Sequence, residues 1–112
     1  MFIRLYVNAK SEPEALIVLE KILKIFEPIL KDKEIQKVEP YWKIEEVYIV
    51  EVTMTMLISE GKTELKKNRI LESIAKKWTQ IGSPATELLA SDTTENCNFI
   101  LEGLKMINIQ FE

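Results

Sequence analysis

The chain has 112 residues, 46% of them hydrophobic, and a net charge of −3, which together indicate one globular domain spanning residues 1–112. No apolar run approaches the roughly 20 residues that a membrane helix needs, and the N-terminal segment MFIRLYVNAK lacks the pattern of a secretory signal. The single cysteine, Cys97, excludes an internal disulfide, and the lack of histidine removes the commonest general base and metal ligand. We therefore expect a cytoplasmic protein without a cofactor and without membrane contact.

The first two predicted elements are a strand and an amphipathic helix. Residues 2–8 alternate, with Ile3, Leu5 and Val7 on one face, as in a strand. The segment SEPE at residues 11–14 predicts a helix start, because Ser11 can cap the first turn and Glu14 completes a capping box. Apolar residues at 3–4 spacing continue this helix, and a proline at position 28 ends it between residues 26 and 30.

The middle of the chain predicts a hairpin of two strands. Residues 34–43 read as an edge strand, bulged near Pro40, because proline cannot donate to a strand ladder. A turn at residues 44–46 leads into a long central strand, residues 47–58, whose even positions are all apolar. Glu51 and two threonines lie at its odd positions, so we expect one face on the core and the other partly wet.

The last third predicts a second helix followed by short strands. A break at residues 59–62 leads into a helix from about Thr63 to about Ile81, followed by Gly82 and Pro84. Its core face is expected to hold Leu71, Ile74, Ala75, Trp78 and Ile81. Residues 86–90 form a weak strand, residues 91–98 a polar loop, residues 99–101 the start of another strand, and residues 104–111 the last strand.

The resulting fold class is α+β. The order βαββαβ predicts a ferredoxin-like sandwich, with two helices on one face of an antiparallel sheet and with room for an extra C-terminal strand. Charge follows this order unevenly, since residues 34–61 and 83–112 each carry a net charge of −4 and residues 62–82 carry +4. Acidic strands repel phosphate, so nucleic acid is not an expected partner.

No group of residues has the composition and spacing of a catalytic site or a metal site. Cys97 has no histidine to activate it, and Glu45, Glu46 and Glu51 have the spacing of a solvated hairpin surface. Zinc needs ligands that this chain lacks, and no glycine-rich phosphate loop is present. The sequence therefore predicts a protein that is not an enzyme.

Protein binding is the function that the remaining features favour. Tyrosine and tryptophan often anchor interfaces, and here they stand together beside carboxylates that suit a basic partner. The competing interpretation is that Trp42 packs into the core of the hairpin and that residues 91–98 are an ordinary solvated turn. The candidate partner-binding residues are Tyr41, Trp42, Glu45, Glu46, Glu51, Asp92 and Glu95.

Two stretches carry a resemblance to a class of known proteins. The segments PYWKIEEVYIVEV, residues 40–52, and DTTEN, residues 92–96, resemble those of small immunity proteins from bacterial polymorphic-toxin and contact-dependent growth inhibition systems. The resemblance is general in character and implies a cytoplasmic acidic domain that binds and blocks a cognate toxin, often a basic nuclease. It also implies that acidic groups and an aromatic anchor cover a cationic active site.

Two other hypotheses stay open at this point. One is a ferredoxin-like ligand-sensing or regulatory domain that homodimerises through its sheet, using Val47, Ile49, Thr53 and Thr55. The other is an enzyme with an unusual site, such as Cys97 with a lysine or paired carboxylates. A sheet face, a sheet edge and a loop patch are all open as the binding surface.

Overall fold

A single antiparallel sheet carries every strand that the structure describes. The structure is a computed structural model that describes residues 1–57, 62–82 and 86–111, and for residues 62–67 the backbone alone. Its elements in chain order are β1 (Phe2–Asn8), α1 (Glu12–Phe26), a 3₁₀ turn (Glu27–Ile29), β2 (Leu30–Pro40), β3 (Val47–Met56), α2 (Lys62–Ile74), β4 (Thr79–Ile81), β5 (Glu87–Ser91) and β6 (Leu104–Gln110). The strands lie in the order β2-β3-β1-β6-β5-β4.

This architecture confirms the predicted α+β class and corrects its detail. The described residues form two helices and six antiparallel strands, whereas the βαββαβ order has four strands. The weak strand predicted at residues 86–90 is β5, and it forms a hairpin with β4, a strand that was predicted as the end of the second helix. Because β6 pairs with β1, this hairpin extends the sheet beyond β6.

The core lies on one face of the sheet, under both helices. The alternation predicted for β1 and β3 is confirmed, since Ile3 pairs with Val52 and Leu5 with Val50, and all four are buried. The buried residues of α1 and α2 belong to the same cluster, so both helices cover this face. Burial of this apolar area is the main force that holds the helices on the sheet.

The start of α1 follows the predicted capping pattern with one change. The Oγ atom of Ser11 accepts a hydrogen bond from the backbone N–H of Glu14 at 3.4 Å. The carboxylate of Glu14 accepts from the N–H of Lys10 at 2.7 Å, one residue before the expected partner. The first bond satisfies a donor that the first turn leaves free, and the second satisfies a donor just before the helix. The helix ends at Phe26 and continues as the 3₁₀ turn that contains Pro28.

Strand β2 is an edge strand, as predicted, but its bounds differ. It begins at Leu30 and ends at Pro40, so the charged segment at residues 31–33 belongs to the strand. Its register shifts between residues 30 and 32 and between residues 35 and 37, not near Pro40. Charges and bulges on an edge discourage pairing with another chain. The charged residues and bulges of β2 also interrupt the alternation of apolar and polar residues by which a strand is recognised in a sequence.

The second helix ends seven residues earlier than predicted. The backbone N–H groups of Lys76 and Lys77 donate to the carbonyl of Cys97, so the chain leaves the helical path after Ile74. The indole N–H of Trp78 donates to the carbonyl of Leu71 at 2.9 Å and satisfies one acceptor of the last turn. The β-branched residues that follow then pair with β5, which leaves Ile81 exposed instead of in the core.

Other predictions have mixed outcomes. Residues 99–101 form no strand and are tied to α2 by one bridge, between Phe99 and Ala75, and by bonds to the carbonyl of Ile74. The break was predicted at residues 59–62, but Lys62 already belongs to α2. Residues 59–61, the strand end at Ile58 and the stop at Pro84 lie outside the described residues, as does the side chain of Thr63. Neither described helix has the length and apolar character needed to cross a membrane.

Candidate functional site

The β2–β3 connection, residues 41–46, is a loop fastened to the sheet at both ends; we call it the hairpin loop. The backbone N–H of Tyr41 donates to the carbonyl of Val47 at 2.7 Å, and the N–H of Ala9 donates to the carbonyl of Glu46 at 2.9 Å. Glu46 has a φ of 59°, a left-handed conformation that is strained for glutamate and that reverses the chain into β3. These bonds hold the loop at the end of β1.

Three aromatic rings form a row from Tyr6 in the sheet, through Tyr41, to Trp42 in this loop. The ring centroids of Tyr6 and Tyr41 are 5.3 Å apart at 74°, and those of Tyr41 and Trp42 are 6.3 Å apart at 64°. Both are edge-to-face arrangements, which aromatic quadrupoles favour. The Nζ atom of Lys43 lies 5.1 Å from the Trp42 ring centroid. The row projects an aromatic surface into solvent.

The interpretation that Trp42 packs into the hairpin core is wrong. Its side chain is 83% exposed, the highest value among the exposed large hydrophobic residues of the described chain. Ile44, two residues along the same loop, is also exposed. Tyr6 and Ile44 are the residues of this region that the sequence analysis missed. The alternation of β1 places Tyr6 on the outward face, and this signal could have identified it.

Glu45 and Glu46 line two shallow cavities beside the hairpin loop. One, of about 310 Å³, also includes Lys10 and Glu14 from the start of α1. The other, of about 420 Å³, includes Lys10 and Tyr48. Both carboxylate side chains are exposed, so the structure places them where a partner can reach them.

The second predicted contact surface, residues 91–98, is a compact turn that we call the acidic loop. The N–H of Asp92 donates to the carbonyl of Lys105 at 2.9 Å, and the Nζ atom of Lys105 lies 3.2 Å from an Asp92 carboxylate oxygen. The hydroxyls of Ser91 and Thr93 are 2.8 Å apart. Glu95 is exposed at the outer side of the loop.

The structure brings the two loops together around one cavity, which we call the tyrosine cavity. Its volume is about 230 Å³, and it is lined by Tyr6, Tyr41, Ile44, Lys105, Met106 and residues 91–93. Tyr41 and Asp92, which are far apart in sequence, therefore share one site. Trp42, Glu45 and Glu95 lie on the adjoining loops but do not line this cavity.

Glu51 lies apart from these groups, on the open face of the sheet. Its Oε2 atom accepts hydrogen bonds from Nε and a terminal nitrogen of Arg4 at 3.0 and 2.8 Å, and its Oε1 atom is 3.5 Å from Nζ of Lys37. Burial would raise the pKa of this carboxyl, but the hydrogen bonds and charges of Arg4 and Lys37 outweigh it and lower the pKa. Glu51 is only 8% exposed, so it supports the sheet more directly than it meets a partner.

Replacing Glu51 with glutamine is expected to lower the free energy of unfolding at neutral pH by about 1–2 kcal/mol, because a charge-assisted hydrogen bond is lost. The lowered pKa means that the folded state favours the ionised carboxylate. The contribution is therefore present above the unfolded pKa, near 4.5, and is lost as pH falls through the folded value. Urea unfolding between pH 7 and pH 3 should show the two proteins converging in acid.

Glu34→Gln is the matched control for this series. Glu34 pairs with Thr53 on the same face, but it is exposed and makes no ion pair among the described residues. We expect its substitution to change the unfolding free energy by less than about 0.5 kcal/mol at any of these pH values. Equal pH dependence in both variants would contradict the role assigned to Glu51.

Cys97 is a buried residue of the acidic loop and is 2% exposed. Its backbone carbonyl receives the N–H groups that end α2, and its own N–H donates to the carbonyl of Thr94. Burial raises the pKa of the thiol, a backbone hydrogen bond from Ser91 opposes this, and the charge of Asp92 adds to it. A role for this thiol as a nucleophile would need the loop to open.

We expect Cys97 to react slowly with a thiol-specific disulfide reagent at pH 8. Its rate in the native protein should be at least about a hundredfold below the rate in urea, because modification requires local opening. Stopped-flow absorbance measures both rates. Native reactivity equal to that of the unfolded chain would show that the loop does not cover the thiol.

Within the described residues, no group of three acidic or cysteine side chains could hold a metal ion. In comparisons with family models, with curated proteins and with solved structures, nothing matches this chain. The candidate site is therefore defined by its own geometry, namely the hairpin loop, the acidic loop and the tyrosine cavity between them.

Proposed function

We propose that this chain is a non-catalytic protein-binding domain, most concretely an immunity protein that binds and neutralises a cognate toxin in the cytoplasm. The proposed toxin is a basic nuclease effector, and its contact surface is the hairpin loop with the acidic loop beside it. We further propose a ferredoxin-like core for this domain. The strand order β2-β3-β1-β6 with two helices supports that core, to which the β4–β5 hairpin is an addition.

The observation that carries the proposal is the exposure of Trp42. A tryptophan ring left 83% exposed forgoes most of the free energy that its burial would contribute. Such an exposed side chain on a fastened loop is an anchor ready for burial by a partner, and tryptophan is enriched among interface residues that dominate affinity. The neighbouring exposed Ile44 enlarges the same apolar surface.

The charge around this anchor fits a basic partner. Residues 39–46 hold three glutamates and one lysine, and the acidic loop holds Asp92 and Glu95 with no basic residue. Complementary charges at the rim of an interface accelerate the encounter and select against partners of like charge. The acidic rim and aromatic centre support a complex that covers a cationic active site.

Co-expression with the products of neighbouring genes, followed by affinity purification at several salt concentrations, tests the proposal. We expect a tight one-to-one complex with a basic protein, and an association rate that falls as salt rises. A nuclease partner should lose activity in the complex. Purification of the chain alone, as a dimer whose mass does not change with concentration, would sink the proposal.

Trp42→Ala is expected to weaken this complex about thirtyfold, which corresponds to about 2 kcal/mol for a central anchor. Ile35→Ala is the matched control, because Ile35 is an exposed large hydrophobic residue on the edge strand β2. It should leave affinity unchanged within about twofold. Surface plasmon resonance measures both affinities. Equal losses of affinity would show that any exposed apolar side chain contributes, wherever it lies, and would contradict the hairpin loop as the contact surface.

The second candidate is a ferredoxin-like ligand-sensing or regulatory domain that homodimerises through its sheet. The observation that favours it is the open face, which no described element covers and where Phe2, Tyr6, Ile49, Leu89 and Met106 are only partly buried. Sedimentation velocity at several concentrations separates the two proposals. A tight dimer without ligand favours this one, and Ile49→Lys should then dissociate it.

A further inference from the structure

We propose that the tyrosine cavity receives an arginine side chain. The inference rests on the proposed function, and it specifies which group of the basic partner enters the site. The observations behind it are the cavity's aromatic walls, its single carboxylate and the cations that already stand beside these groups in the free protein.

The cavity has the dimensions and walls for one long side chain. Its volume of about 230 Å³ is lined by Tyr6 and Tyr41 together with residues 91–93 of the acidic loop. Ile44 and Met106 add apolar surface along which methylene groups can pack. The only carboxylate among the lining residues is that of Asp92.

Lysines of the chain itself already occupy one cation position at this cavity and one on the adjoining hairpin loop. Lys43 places its ammonium 5.1 Å from the Trp42 ring centroid, and Lys105 places its own 3.2 Å from a carboxylate oxygen of Asp92. The aromatic row and Asp92 therefore attract cations in the free protein. The Lys105–Asp92 ion pair and the Lys43–Trp42 cation–π contact both involve exposed or half-exposed groups, and such contacts are weak and exchange readily.

An arginine from a partner would compete well against these lysines. Its planar guanidinium can stack on a tyrosine ring and bind a carboxylate through two parallel hydrogen bonds, whereas an ammonium binds as a point charge. Lys105 also lines the neighbouring cavity beside Glu14 and Glu46, so its ammonium has other carboxylates nearby when it leaves Asp92. An arginine can therefore replace Lys105 at Asp92 without leaving the Lys105 ammonium far from a carboxylate.

The probe for this inference is Nα-acetyl-arginine amide, titrated into the ¹⁵N-labelled protein and followed by NMR. We expect saturable shifts at the amides of Tyr41, Asp92 and Thr93. The neutral isostere Nα-acetyl-citrulline amide should give none, and Nα-acetyl-lysine amide should bind at least about fivefold more weakly, because it lacks the planar fork.

Two variants that each remove one negative charge from the acidic loop make the matched comparison. Asp92→Asn should weaken arginine binding about tenfold, the change expected for one lost charge-assisted hydrogen bond, whereas Glu95→Gln should change it less than twofold. Lys105→Met removes the competing cation and should strengthen binding severalfold. Equal effects of the two acidic-loop variants, or shifts spread over the acidic surface without saturation, would overturn the inference.

The titration uses no protein partner, so its outcome is independent of the co-expression experiment. Saturable arginine binding in the titration, together with no partner protein in the co-expression experiment, would refute the immunity proposal and retain the cavity. A partner protein that binds wild type and Asp92→Asn with equal dissociation rates would retain the immunity proposal and refute the arginine site.

Discussion

Phe26→Ala is expected to lower the free energy of unfolding by about 3–5 kcal/mol, the largest stability effect that this structure predicts for one substitution. Phe26 is the last residue of α1, is 1% exposed and has the largest volume among the fully buried side chains. Truncation removes its apolar area from the core and leaves a cavity that the helix and sheet cannot fill by small shifts. A typical domain is stable by only about 5–15 kcal/mol, so the variant would be near its unfolding limit.

Ile17→Ala on the same helix is the control. Ile17 is 54% exposed, so its substitution should change the free energy of unfolding by less than about 0.5 kcal/mol. Both substitutions introduce alanine into α1, so the comparison isolates the effect of burial. Urea unfolding followed by circular dichroism gives the midpoint and slope for each protein. A midpoint for Phe26→Ala within error of that for Ile17→Ala would contradict the packing described here.

The same variant separates stability from binding. Phe26 lies twelve residues after Glu14 in α1, about 18 Å along the helix axis from the cavity that Glu14 lines. We therefore expect the folded fraction of Phe26→Ala to retain the geometry of the hairpin loop. The loss of partner affinity caused by Trp42→Ala and the loss of stability caused by Phe26→Ala should therefore be independent of each other.

Alternating hydrophobicity predicted the strands that face the core, whereas β2 was predicted as an edge strand but with its start four residues late and its end three residues late. In β3, Val50, Val52 and Met54 are apolar because they meet the helices, and the pattern follows from that contact. In β2, residues 31–37 are exposed on both faces and joined to β3 mainly through backbone bonds. No burial selects their side chains, so the sequence pattern does not mark where the strand begins.

The end of α2 was unpredictable from local sequence for a different reason. Its apolar spacing continues through Trp78 and Ile81, but the carbonyls of Cys97 and Asn98 accept the N–H of Lys76 and end the helix. These acceptors lie more than twenty residues away, so tertiary contact overrides local propensity. The start of α1 was predictable because its cap is formed by residues within the same turn.

The candidate site, like the fold, could be predicted from the sequence only in part. Its chemistry could be read from the sequence, since Tyr41, Trp42, Glu45 and Glu46 are adjacent in the chain and lie on one loop. Its shape could not, because the tyrosine cavity depends on the pairing of β1 with both β3 and β6, which brings Asp92 to Tyr41. Long-range pairing of this kind is set by the whole core.

Gly103→Ala is expected to lower the free energy of unfolding by about 2–5 kcal/mol through two separate costs. Gly103 has a φ of +94°, a conformation that costs an L-residue about 1–2 kcal/mol. A Cβ atom there would also lie 2.8 Å from the Cγ2 atom of Val18 on α1, and relieving such overpacking costs about 1–3 kcal/mol. The carbonyl of Gly103 accepts the N–H of Asn8 at 2.8 Å, which limits how far the backbone can move away.

A double-mutant cycle with Val18→Ala separates these costs. Removing the Val18 methyl groups relieves the contact but leaves the backbone strain, so the double variant should be more stable than the sum of the single losses by about 1 kcal/mol or more. Because residue 103 precedes β6, whose Lys105 binds Asp92, the single variant should also shift the NMR signals of the acidic loop. Strictly additive losses, with these signals unmoved, would show that α1 is not in contact with the chain at Gly103.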